Sequence, residues 1–122
     1  MNIGDAFLMS VAPRHIPHLY FVISDKNKNS GTFIIVNITG DRFRSGKECV
    51  LNIGDHPWIK KESFVSFADA LEINPSNYRR IQRLIVQKKI KLQPSLRPEI
   101  LAKIVDAAKE SDAIPENFKK HL

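Results

Sequence analysis

The chain has 122 residues, 43% hydrophobic and 26% charged, which fits one globular domain with a single core and excludes two independent domains or global disorder. No apolar stretch reaches the length that spans a bilayer, no secretory leader opens the chain, and the lone Cys49 builds no disulfide framework, so a soluble cytoplasmic protein is expected, with no membrane partner. The net charge of +6 lies in the second part: residues 1–75 carry eight basic and eight acidic side chains, residues 76–122 eleven and five, a balance suited to an anionic backbone, an acidic protein or plain solvation.

In chain order, Ala6 to Met9 is a short predicted strand that ends near Pro13, and the Pro13 to Pro17 stretch is irregular because its two prolines remove donors and fix φ. Leu19 to Ser24 is aromatic and β-branched without alternation, the pattern of a central strand. Asp25 to Gly31 reads as a polar hairpin loop, which pairs Thr32 to Thr39 antiparallel with the preceding strand. A polar loop, Gly40 to Gly46, leads to a fourth strand over Cys49 to Ile53 and a turn at Gly54 to Pro57. Ser63 to Phe67 alternates, and Ala68 to Ile73 continues as a last strand after a bend.

Beyond Pro75 the period becomes helical. Tyr78, Ile81, Leu84 and Ile85 share one face, with Ser76 or Asn77 as the expected N-cap. Ile90 to Leu92 reads as a short extended link, and Pro98 suits the first turn of a helix to Glu110 whose stripe is Ile100, Leu101, Ile104, Val105 and Ala108. Pro115 opens a last short helix containing Phe118 and Leu122. Short strands at this spacing predict a mainly β fold, a small barrel or bent sheet over residues 1–74, with a basic helical extension over 75–122 packed on it as one domain.

Three strand ends carry acid-base side chains: His18 before the first long strand, Thr39 at the close of the second and His56 after the third. On a shared sheet they converge on one rim, where small β-domains keep their sites. The order of Gly4-Asp5-Ala-Phe-Leu, Pro17-His-Leu-Tyr-Phe-Val-Ile-Ser-Asp25, Phe33-Ile-Ile-Val-Asn-Ile-Thr39 and Lys61-Glu-Ser-Phe-Val-Ser-Phe-Ala-Asp-Ala-Leu71 resembles the MazF/PemK (Kid) toxin family over residues 3–73. That resemblance implies an SH3-like barrel, a homodimer and a metal-independent, cofactor-free endoribonuclease acting on single-stranded RNA under a cognate antitoxin protein. The family's catalytic arginine falls at His18, with Arg14 nearby, and its catalytic Thr/Ser falls at Thr39.

RNA cleavage through the 2′-hydroxyl needs a base, an acid for the leaving 5′-oxygen and positive charge at the phosphorane. Histidine suits the first two roles. His18 and His56 are therefore the candidate acid-base pair, Thr39 a donor to a phosphate oxygen, and Arg14, Arg42 and Arg44 the candidate phosphate-binding charges. The same residues also fit plainer roles: His18 bonding a backbone carbonyl, His56 stabilising a turn, Thr39 ending a strand, and Arg42 and Arg44 as solvated loop charges.

Cys49, His56 and His18 are metal-ligand types without the paired spacing of a zinc site. Trp58, Phe64 and Phe67 suit either base stacking or the core. Ser63 has no triad context, and His15 and His121 stand alone. The alternative to the ribonuclease is a non-catalytic module of the same fold that binds a protein or nucleic acid; a metal-assisted hydrolase is a third reading.

Overall fold

The computed structural model describes residues 1–11, 16–40 and 48–122, with Val11 described by its backbone alone. Its antiparallel strands are β1 (Ala6–Val11), β2 (Ile16–Val22), β3 (Phe33–Thr39), β4 (Val50–Leu51), β5 (Ser63–Ile73) and β6 (Ile90–Gln93). They form one six-stranded sheet in the order β4-β5-β3-β2-β1-β6. Two helices follow, α1 (Pro75–Val86) and α2 (Pro98–Glu110), with 3-10 turns at Lys26–Lys28 and Glu116–His121. The sheet curls into a half-barrel, so the fold is mainly β with helices.

Both faces of the sheet are covered, which explains why β2 and β3 read as unbroken apolar runs. Leu19, Phe21, Ile34, Val36 and Phe67 point to one face and pack under α2 through Ile100, Ile104 and Ala108. Phe7, Tyr20, Val22, Phe33, Ile35 and Ile73 point to the other and meet Ile81, Tyr78, Leu84 and Ile85 of α1. Residues 75–122 are thus more than a cover. Ile90 to Leu92, expected as a link, belong to the edge strand β6, whose Ile90 and Leu92 pair with Met9 and Phe7.

Curvature has a local cause in β5. Ile35 of β3 faces Leu71, yet Asn37 faces Ser66, so residues 67–70 of β5 stand against the single Val36. Such an insertion bends and twists the strand. Ser66 Oγ donates to Asp69 Oδ2 at 2.7 Å across it. Ala68 to Ile73 thus continues from Ser63 to Phe67 after a bend, as expected, and the two runs form one bulged strand.

Several boundaries differ from the sequence reading for local reasons. The N-cap of α1 is Asn74, not Ser76 or Asn77, because Pro75 occupies the first helical position and Asn77 N donates to Asn74 Oδ1 at 2.8 Å. The fourth strand stops at Leu51, since Asn52 N turns away to donate to Asp55 Oδ2 at 2.8 Å. The last helix is a 3-10 turn ending at His121. There His121 meets Glu72 Oε2 and Asn29 Oδ1, each at 3.1 Å, and ties the tail to β5 and the β2–β3 loop.

Candidate active site

His18 and Thr39 lie near neighbouring strand ends and line one cavity. The β2–β3 register sets Tyr20 opposite Asn37, and two residues further along each strand, on the same face, come His18 and Thr39. They line an open cavity of about 520 Å³ with Ile16 and Gly40 beside them. Its far wall is the segment entering β5, which brings Trp58, Ile59, Lys60, Lys61 and Ser63.

The ring of His18 is partly exposed and its nitrogens take no hydrogen bond or ion pair from the described residues. Trp58 is 38% exposed, a large aromatic face left in reach of solvent. Ser63 Oγ donates to Lys61 O at 3.0 Å and fixes the backbone that carries the two lysines. Gly40 matters by its missing side chain: a Cβ there would lie 2.6 Å from Lys61 Cε and 2.7 Å from Nζ. The lysine amine therefore sits directly over the end of β3.

His56 is elsewhere and otherwise engaged, which removes it from the expected acid-base pair. It is 1% exposed. Its Nδ1 accepts from Trp58 N at 3.0 Å, and its Nε2 lies 2.7 Å from Pro94 O, an arrangement that requires the neutral tautomer protonated at Nε2. The ring also stands edge-on to Phe21 at 5.8 Å. His56 clamps the turn that carries Trp58 and Lys60. A separate cavity of about 490 Å³ adjoins it, beside the Asp55–Arg97 ion pair of 3.9 Å.

Arg14, Arg42 and Arg44 lie outside the described residues, as does His15. Lys60 and Lys61 are the cations the sequence reading passed over; the available signal was their position next to Trp58, just ahead of an alternating strand. Of the other aromatics, Phe64 and Phe67 are buried, at 4% and 0% exposed, and present no face for stacking. Cys49 is a buried core residue whose thiol burial pushes up from its usual range, an inert setting. Among the described residues, no three His, Cys, Asp or Glu side chains converge to hold a metal. No helix among them is long and apolar enough to cross a membrane. Comparison of the chain with protein-family models and with curated proteins gives no match.

Proposed function

We propose that the protein is a divergent MazF/PemK-like endoribonuclease, cutting single-stranded RNA in the cytoplasm without a metal, and that its curled sheet is a variant of that family's SH3-like barrel. One observation carries the reading: His18, its ring without a hydrogen-bond partner among the described residues, and Thr39 line a rim cavity that also holds Lys60, Lys61 and the exposed Trp58. Each group matches one demand of the reaction.

His18 takes the proton of the 2′-hydroxyl as that oxygen attacks phosphorus. The Thr39 hydroxyl donates to a non-bridging oxygen while the lysine ammoniums offset the charge of the phosphorane. The bond from phosphorus to the 5′-oxygen then breaks, and the Lys61 ammonium gives that oxygen its proton. The products are a 2′,3′-cyclic phosphate and a 5′-hydroxyl. A base next to the scissile bond stacks on Trp58, which favours an unpaired strand over a duplex. The family likeness adds a homodimer and an inhibitory antitoxin protein as the expected partners.

The test is purified protein incubated with mixed-sequence single-stranded RNA in chelator, followed by end mapping. Cleavage to cyclic phosphate ends, reduced about a hundredfold or more in His18→Ala, is the expected result. A folded wild type that leaves RNA intact would instead favour a binding module of the same fold.

A further inference from the structure

A second groove opens between the sheet and α1, on the face that carries Tyr20 and Ile35. It encloses about 940 Å³ against about 520 Å³ at the rim. Met9, Tyr20, Ile35 and Leu71 form its floor, and Leu71 is 44% exposed. One border is cationic: Arg80, Lys88, Lys89 and Lys91, with no carboxylate among the lining residues. Such a border over an apolar floor suits a strand that turns phosphates one way and base faces the other.

A backbone feature marks the cationic border. Lys88 stands at φ 61°, the left-handed position that ends α1: its N–H reaches Ile85 O at 3.0 Å, and Lys89 N reaches Leu84 O at 2.9 Å. Glycine is the comfortable residue at that position, so a lysine is held there against backbone preference with its charge on the groove. Asn37, which lines neither cavity, is 9% exposed and its Oδ1 is buried without a hydrogen-bond partner among the described residues. It sits opposite Tyr20, on the stretch of face between the groove floor and the rim. Burial first, and then the Asp69 carboxylate, pushes the Tyr20 phenol above its usual range, so Tyr20 remains a donor.

The groove and the rim are continuous through strand geometry. Tyr20 on the groove floor and His18 on the rim share a face of β2, about 7 Å apart, and Met9 of the groove is the cross-strand partner of His18. We infer that this groove is the approach track of the RNA strand, with Arg80, Lys88, Lys89 and Lys91 holding phosphates as it runs toward His18. The inference rests on the ribonuclease reading for the class of its ligand. It adds a specificity for length, since only a strand extending well beyond the scissile bond touches the groove.

The experiment follows a labelled RNA of about twelve nucleotides, 2′-O-methylated so that it cannot be cut, by fluorescence anisotropy across a salt series. Wild type is compared with Lys88→Gly and with the pair Arg80→Glu and Lys91→Glu. Weaker binding, by about tenfold in the pair, is expected, and the slope of log affinity against log salt should flatten by about 0.7 for each phosphate that is no longer neutralised. Cleavage of the unmodified strand should show a raised KM in these variants, with a trinucleotide unaffected. Unchanged affinity, slope and KM in folded variants would overturn the track while leaving the rim ribonuclease standing. Binding that depends on the groove, without cleavage by wild type, would keep the track and discard the ribonuclease. Capture of an acidic peptide in place of RNA, abolished in the same variants, would assign the groove to a protein and overturn the inference, and a wild type that neither binds nor cuts RNA would overturn both.

Discussion

Two of the three residues marked at strand ends reach one cavity, and the third shows why residue type alone misleads. His18 and His56 have the same chemistry in the sequence, but one residue lines an open cavity while the ring of the other is enclosed with both nitrogens bonded. His56→Ala would leave Pro94 O and Trp58 N unpaired and open a void beside Phe21, so we expect a loss of about 2–4 kcal/mol, read by urea denaturation. The variant that remains folded should still cut RNA, at a rate lowered only as far as Trp58 and Lys60 drift; abolished cleavage at full stability would restore His56 to the chemistry. Gly40→Ala makes the complementary change. Its new methyl displaces the flexible end of Lys61, so turnover should fall severalfold while the thermal midpoint stays within a few degrees. An unaltered rate would show that the Lys61 amine has no part in the reaction.

At the scale of single elements, α1 is defined by its two ends. Asn74 caps the first turn through its side chain, and Asn74→Ala should cost about 1 kcal/mol. At the other end the left-handed Lys88 gives the opposite sign: Lys88→Gly relieves the backbone and should stabilise the fold by about 1 kcal/mol, measured as a shift of the denaturation midpoint. Higher stability together with weaker RNA affinity in one variant would separate folding from function at that position. The bulge in β5 is a further element-level device. Alternating residues gave Ser63 to Phe67 its faces, whereas the bend needed the Ser66–Asp69 bond and the mismatch with β3. Nothing in the local spacing of Ala68 to Ile73 announces that mismatch, because it is defined only against a partner strand.

Across the whole molecule, the sheet depends on residues far apart in the chain. β6 completes the edge beside β1, α1 and α2 seal opposite faces, and Leu96 N donates to Gly4 O at 2.9 Å. A chain cut after residue 74 would expose Phe7, Phe33 and Ile35 on one side and Phe21 and Ile34 on the other, so it should show no cooperative unfolding and should aggregate. A well-dispersed amide spectrum from that fragment would contradict this account. Burial on both faces also explains the composition of β2 and β3, where a one-sided barrel strand would alternate with polar residues.

From the sequence alone came the strands that read as continuous apolar runs, the two amphipathic helices, the proline that starts α2, the excess of positive charge beyond residue 75, and His18 and Thr39 as strand-end chemistry. These are legible because periodicity, β-propensity and charge are local properties of the chain. Only the tertiary structure decided that the helices lie on opposite faces, that the presumed link is a sheet edge, that Lys60 and Lys61 reach the cavity of His18, and that His56 does not. Each of these depends on which distant segments pack together, and burial, hydrogen-bond partners and proximity are fixed by that packing rather than by spacing along the chain.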